Sequence, residues 1–266
     1  MTETQNITLL VTIGIAAMLL LVAGFLLIMV MNQRKKWQLQ KEMSLLKEEQ
    51  QNQLIEGAVR SEEGERHRIA EMLHDEVGAL LSSSRIFLVE MKTQNLSHDD
   101  QQDHAKVKEM IDESIQKVRS ISHNLHSTIL KEFGLNEAIR HFMKKITGGM
   151  TITSTVELDD SYTISNAETD LAVYRIVQEL VNNLLKHAHP RHIEISSSLK
   201  EKELELTIRH NGAGLNQQQF EELRYKSQGL GLKNIQNRII LLKGNLLFEV
   251  NEPNNSSIQL TIPIQS

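Results

Sequence analysis

The stretch QELVNNLLKHAHPRHIEISSSL, residues 178–199, changes character halfway along. Its first part belongs to a helical pattern over 167–188 and its second, HIEISSSL (192–199), reads as a strand. Runs of both kinds continue outward from it. ITSTVEL (152–158) precedes it; LELTIR (204–209), a helical pattern at 231–243, NLLFEV (245–250) and SIQLTIPI (257–264) come after it. Strands and helices mix without a regular strand-helix-strand alternation. The expectation is an α+β layered domain over residues 131–266. KEFGLNEAIRHFMKKI, from residue 131, reads as a linker leading into a short helix.

Upstream, the apolar spacing becomes purely helical. Leu73, Val77, Leu80, Ser84, Phe87 and Met91 alternate steps of four and three, and so do Val107, Ile111, Ser114, Val118, Ile121 and Leu125. The polar segment TQNLSHDDQQDH (93–104) separates them as a turn. Two such helices make an antiparallel hairpin with one apolar face left open. Two copies would close a four-helix bundle, so a homodimer is expected. The helix at 33–66 carries only a weak seam, Leu39, Met43 and Leu46, which lapses at Gln50 and Gln53.

Residues 7–31, ITLLVTIGIAAMLLLVAGFLLIMVM, carry no charge. As a helix they would extend roughly 38 Å, against the ~30 Å of a bilayer's hydrocarbon core. A cleaved signal peptide fits poorly, because MTETQN before the run is not basic and Arg34, Lys35 and Lys36 come after it. The positive-inside rule places residues 32–266 in the cytoplasm and leaves a short tail, 1–6, outside. The expected divisions are a tail at 1–6, a transmembrane helix at 7–31, a juxtamembrane helix at 32–64, the hairpin domain at 65–130 and the α+β domain at 131–266.

Composition narrows the function. A net charge of -5 argues against direct nucleic-acid binding, which needs a basic face. The absence of cysteine excludes disulfides and thiolate metal or redox sites. Eleven histidines invite a metal reading, with His187, His189 and His192 in HAHPRH and with His123 and His126. These read better as polar surface than as a complete ligand shell.

Three pieces of the α+β domain carry possible chemistry. Glu179 and Asn183, four apart, share a helix face. Glutamate can orient or deprotonate a nucleophile, and asparagine can offer an oxygen to Mg²⁺. Lys186 and His187, a turn on, are placed to reach phosphates. RHNGAGL (209–215) follows a strand, and its two glycines allow a tight turn near a ligand. QGLGLKNIQNRI (228–239) puts Gly229 and Gly231 before a helix, whose first N–H groups can bind phosphate. Taken singly, each piece is equally an amphipathic helix, an Asn-Gly turn or an ordinary helix boundary.

In this order and spacing the set resembles the ATP-binding domain of the histidine kinase, gyrase and Hsp90 superfamily. ERHRIAEMLHDEVG (65–78) resembles the phosphoacceptor box of sensor histidine kinases, most closely the subgroup paired with helix-turn-helix response regulators. The resemblance covers residues 60–266. It implies that His74 takes the γ-phosphoryl group of ATP, with Asp75 accepting its proton or holding the reactive tautomer. It implies that Glu179 assists transfer and Asn183 binds Mg²⁺. Lys186, His187, His210, Asn211, Gly212, Gly214, Gly229 and Gly231 would shape the nucleotide pocket, with a lid at 215–228. The phosphoryl group would pass on to an aspartate of a separate response regulator.

Two positions depart from the family. His210 stands where the family has an aspartate that accepts a hydrogen bond from the adenine amino group. Losing such a buried bond costs about 1–3 kcal/mol, so the alternative expectation is a weak or inactive pseudokinase serving as a dimeric membrane scaffold. Ala79 stands where many relatives have a glutamine that positions water, which implies weak phosphatase activity toward the partner.

Overall fold

The computed structural model describes residues 3–91, 97–125, 128–149, 151–163, 166–223, 230–252 and 255–264. The chain divides into two units, Met1–Leu54 and Ile55–Ser266. The first is helix throughout its described length, part of α1 (Glu3–Met72). Proline, which would break the helix, is absent from it. This is a helix long and apolar enough to cross a membrane, and side chains such as Leu20, Leu21 and Phe25 are exposed along it.

The second unit begins with the end of α1. A π turn, Leu73–Val77, interrupts the helix, which resumes as α2 (Gly78–Glu90) and returns as α3 (His98–Leu125). The hairpin is held at three heights. Arg85 pairs with Asp112, His104 Nε2 lies 2.7 Å from the Leu88 carbonyl, and Ser122 donates to the Ala70 carbonyl at 3.0 Å. Ala70 and Ile115 are buried between the helices, whereas Leu80 and Phe87 are 70% and 71% exposed. The open apolar face expected from the sequence is therefore present.

The expected turn over 93–104 is shorter than its polarity implied. Ser97 caps α3: its hydroxyl accepts from the Asp100 N–H at 3.1 Å and donates to the Asp100 carboxylate at 2.7 Å. This serine-x-x-acid arrangement starts the helix well before the apolar spacing begins. Residues 92–96 lie outside the described residues.

The expected linker at 131 is also helical. It belongs to α4, Thr128–Thr147, which kinks at Gly134 (φ 79°, ψ −178°). Leu130, before the kink, and Leu135, Ala138, Ile139, Phe142 and Met143, after it, are all buried in one core. Apolar burial on both sides of Gly134 overrides the polar look of KEF.

That core fills the space between a helical layer and a five-stranded sheet. After α4 come β1 (Thr153–Glu157), α5 (Ala167–Asn183), a second π turn (Leu184–Ala188), β2 (His192–Lys200) and β3 (Glu203–His210). Next are α6 (Gln217–Leu223), α7 (Leu230–Leu242), β4 (Asn245–Glu252) and β5 (Asn255–Pro263). The strand order is β1-β2-β3-β5-β4, with β1 parallel to β2 and the other pairs antiparallel. Strand alternation assigns the faces. Ile193, Ile195, Leu204, Leu206, Ile208, Ile258, Leu260 and Ile262 are buried beneath the helices. Glu194, Glu205, Arg209 and Gln259 occupy the alternate positions, with Arg209 and Glu194 paired at 2.9 Å. In the helical layer α5 packs against both α4 and α7.

Helix α6 was not expected from the sequence. Asn216 and Gln219 cap it reciprocally, at 2.8 and 3.0 Å, and Phe220 stacks on Phe248 of β4 at 4.6 Å.

The Gly134 conformation is one that side chains other than hydrogen rarely adopt. Gly134→Ala should therefore destabilise the second unit by about 1–3 kcal/mol, read as a lower urea midpoint at constant m-value. An unchanged midpoint would show that the kink carries no such strain.

Candidate nucleotide and phosphotransfer sites

His74 and Asp75 sit within the first π turn, and both side chains are exposed. A π turn inserts one extra residue into a helix and rotates the residues beyond it, a device often found at functional positions. Grooves run beside His74. One is lined by Gly78, Ala79, Ile115 and Arg119, the other by Ala70, Glu71, Ser122 and His123. Ala79 thus shares a groove with His74. His126 lies outside the described residues.

The second constellation is built on α5. Val173, Ile176, Val177, Leu180 and Val181 bury one side of this helix. That leaves Glu179 and Asn183 half-buried at the edge of the core. The Glu179 carboxylate rests on Gly231, at the start of α7: a Cβ on Gly231 would fall 2.0 Å from Glu179 Oε1. Two motifs far apart in sequence therefore meet in direct contact. Asn183 Nδ2 is buried without a hydrogen-bond partner. An unpaired buried amide calls for an acceptor such as a phosphate oxygen or water. Its Oδ1 is a hard oxygen of the kind Mg²⁺ prefers, so Asn183 fits a magnesium nucleotide.

Lys186 and His187 lie exposed on the second π turn, which ends at His189 in a left-handed conformation (φ 46°). The helical pattern expected over 167–188 thus keeps its length but changes its last turn. The Ala188 carbonyl at this end accepts from the Ala213 N–H at 2.9 Å. It also presses on Gly212, where a Cβ would fall 2.3 Å from the Ala188 oxygen. The NGAG loop is tied in this way to the end of the Glu179 helix. Asn211 ties it to β2, since its Oδ1 accepts from the N–H groups of Arg191 and His192 at 2.8 and 2.9 Å. Asn211 thus holds the loop through its side-chain oxygen. Gly214 lies against the Ser256 hydroxyl. Gly229 and residues 224–228 of the expected lid lie outside the described residues, and part of the remainder is α6.

His210 continues the inward alternation of Leu204, Leu206 and Ile208 and is only 5% exposed. Its Nδ1 accepts the Gly212 N–H at 3.3 Å, which puts the ring proton on Nε2. Burial pulls its pKa below the ordinary 6.5, so the ring is neutral. Opposite it on β5 is Ser256, whose hydroxyl is buried without a partner. The sequence reading missed Ser256. Its inward phase with Ile258, Leu260 and Ile262 was the available signal. It also missed Arg175 and Arg238, arginines buried at inward positions of α5 and α7.

Residues 65–130 match the protein family described as "Histidine kinase", and residues 168–266 match "Histidine kinase-, DNA gyrase B-, and HSP90-like ATPase". The chain belongs to the histidine kinases. It is 23% identical over 214 residues to the signal transduction histidine-protein kinase/phosphatase DegS of Brevibacillus brevis, across 77% of this chain and 53% of that one. It is 26% identical over 215 residues to the oxygen sensor histidine kinase NreB of Staphylococcus carnosus, across 80% and 60%. This histidine kinase chain therefore spans between half and two thirds of the length of these relatives. Among solved structures, the blue-light activated histidine kinase of Erythrobacter litoralis EL346 aligns over 64% of each chain at 17% identity, with a TM-score of 0.44.

The buried His210 ties stability to pH. Its folded pKa lies below its unfolded value, so in the window between them the unfolded chain binds more protons. The contribution is complete above about 6.5 and is lost as pH falls toward the folded value. Urea unfolding between neutral and mildly acidic pH should show this loss. The slope should be smaller in His210→Asn, and equal slopes would show that burial does not perturb this imidazole.

Proposed function

We propose that the protein is a sensor histidine kinase that phosphorylates His74 from ATP and passes the phosphoryl group to an aspartate of a separate response regulator. The observation that carries this reading is the contact of Glu179 with Gly231, beside the unpaired amide of Asn183. It gathers a carboxylate, a magnesium-compatible oxygen and a helix start around one point. His74 is the acceptor in this reading. An imidazole nitrogen supplies the lone pair that attacks phosphorus, and Asp75 orients the ring or takes its proton. Bound Mg²⁺ would offset charge on the phosphate oxygens. Asn183 supplies an oxygen ligand, and Lys186 and His187 stand exposed for phosphate contact.

The remaining assignments belong to the same reading. The exposed stripe containing Leu80 and Phe87 closes against a second copy as a four-helix bundle. Residues 7–31 cross the cytoplasmic membrane once, with 32–64 as the juxtamembrane helix, 65–130 as the phosphotransfer domain and 131–266 as the catalytic domain in the cytoplasm. His210 tunes nucleotide affinity at the base end of the pocket and leaves the phosphoryl chemistry to Glu179 and Asn183. Ala79 offers no group to position water, so dephosphorylation of the partner is slow.

The full chain in detergent, given γ-labelled ATP and Mg²⁺, should acquire an acid-labile label that His74→Gln abolishes. A parent protein that binds ATP but takes no label would overturn the kinase reading. Gly231→Ala should cut the labelling rate by about 10²-fold, because the added Cβ displaces the Glu179 carboxylate. A rate within experimental error of the parent's would show that the Glu179 position is immaterial to transfer.

A further inference from the structure

The inward positions of β3 and β5 are apolar except at one end. Leu204, Leu206 and Ile208 lie opposite Ile262, Leu260 and Ile258, all of them buried. The last pair of the series is His210 with Ser256, 5% and 2% exposed. Residues opposite each other on adjacent strands share a face, with Cβ atoms about 5 Å apart. Polar groups buried in such a place are normally hydrogen-bonded. This pair is not. The Ser256 hydroxyl has no partner. His210 accepts the Gly212 N–H at Nδ1, which leaves its proton on Nε2, and Nε2 bonds no described residue.

The pair is not isolated from the rest of the site. Three buried side-chain atoms lack a partner among the described residues, and two of them are Ser256 Oγ and Asn183 Nδ2. Both stand on segments that the loop after His210 joins. Ala213 bonds the Ala188 carbonyl, five residues beyond Asn183, and Gly214 lies against the Ser256 hydroxyl. One bound molecule with polar groups at two ends would satisfy both.

The polarity at the His210 end selects the chemistry of that molecule. A purine carries either an amino group at C6, which donates, or a carbonyl at C6, which accepts. The Nε2–H of His210 is a donor, and the backbone bond to Nδ1 fixes it as one. It meets a 6-carbonyl favourably and opposes a 6-amino group. A hydroxyl donates or accepts as required, so Ser256 serves the neighbouring ring nitrogen of either purine. Discrimination therefore rests on His210 and general edge contact on Ser256.

We propose that His210 and Ser256 form the base-edge contact of the nucleotide site, and that they admit purine nucleotides with a carbonyl at C6, GTP and ITP, at least as readily as ATP. This rests on the reading that His210 meets the base, and it names the base class.

The test uses the full chain in detergent with Mg²⁺. Labelled ATP is displaced by unlabelled ATP, GTP and ITP, and the three dissociation constants are compared. GTP and ITP should each bind at least as tightly as ATP. In His210→Asp the carboxylate accepts from a 6-amino group and repels a 6-carbonyl, so ATP should become the tighter ligand by about five-fold or more. Ser256→Ala should weaken all three by a similar factor and keep their order. The parent decides the matter even where the aspartate variant fails to fold. A parent that binds ATP five-fold tighter than both GTP and ITP overturns the inference. So does a folded His210→Asp with unchanged ratios. So does tight binding of GTP without ITP, which would place the recognition at the 2-amino group of guanine. Labelling of His74 from γ-labelled ATP and GTP separates this inference from the kinase reading. If the nucleotides bind in the expected order and neither labels His74, the kinase reading fails and the base preference stands.

Discussion

The α+β domain depends on how closely α5 can approach the start of α7. The Glu179 carboxylate occupies the space where any other residue at 231 would carry its Cβ. Such an approach is possible only because α5 is fixed from behind by Val173, Ile176, Val177 and Leu180, each almost wholly buried. The apolar side of the helix sets the position of its polar edge. The position of Glu179 here derives from core packing, and a loosened core would shift it.

The same constraint explains the loop after β3. Gly212 and Gly214 have no room for side chains, because the Ala188 carbonyl occupies one position and the Ser256 hydroxyl the other. The loop therefore bridges the end of the Glu179 helix and strand β5. His210 enters that bridge as a neutral ring whose Nδ1 accepts a backbone N–H, leaving Nε2–H as a donor. An aspartate there would present an acceptor. The change reverses the hydrogen-bond polarity at this position and leaves the Glu179–Gly231 contact in place, so in the proposed reading it bears on the base and spares the groups assigned to phosphoryl transfer.

Much of this was legible in the sequence because it rests on periodicity. The five strands appear within a few residues of their expected bounds, since LELTIR and SIQLTIPI bury alternate residues. The Glu179, Asn183 and glycine motifs were legible through order and spacing, although their contact was not. The misses have local causes. α6 and the early start of α3 are set by caps, Asn216 with Gln219 and Ser97 with Asp100, in stretches whose polarity resembles a loop. The helical character of residues 131–133 was hidden because Gly134, a helix breaker by propensity, is tolerated at a kink flanked by buried Leu130 and Leu135. Arg175 and Arg238 were hidden for the opposite reason. In YRIVQEL and NRIILL they look like ordinary polar interruptions of an apolar face, and only their long-range ion pairs with Glu62 and Glu63 of α1 account for their burial.

The two π turns connect these observations. One carries His74 and Asp75, and the other carries Lys186 and His187 directly after Asn183. Each inserts a residue into a helix whose apolar stripe would otherwise run on in phase. After the first, Leu81 and Leu88 are partly buried while Leu80 and Phe87 face outward. After the second, the chain reverses through His189 into β2. A strict α-helix at either place would keep apolar packing continuous but fix the polar side chains at the angle set by that packing. The extra residue separates the two requirements. The core keeps its stripe, and His74, Asp75, Lys186 and His187 are aimed independently of it.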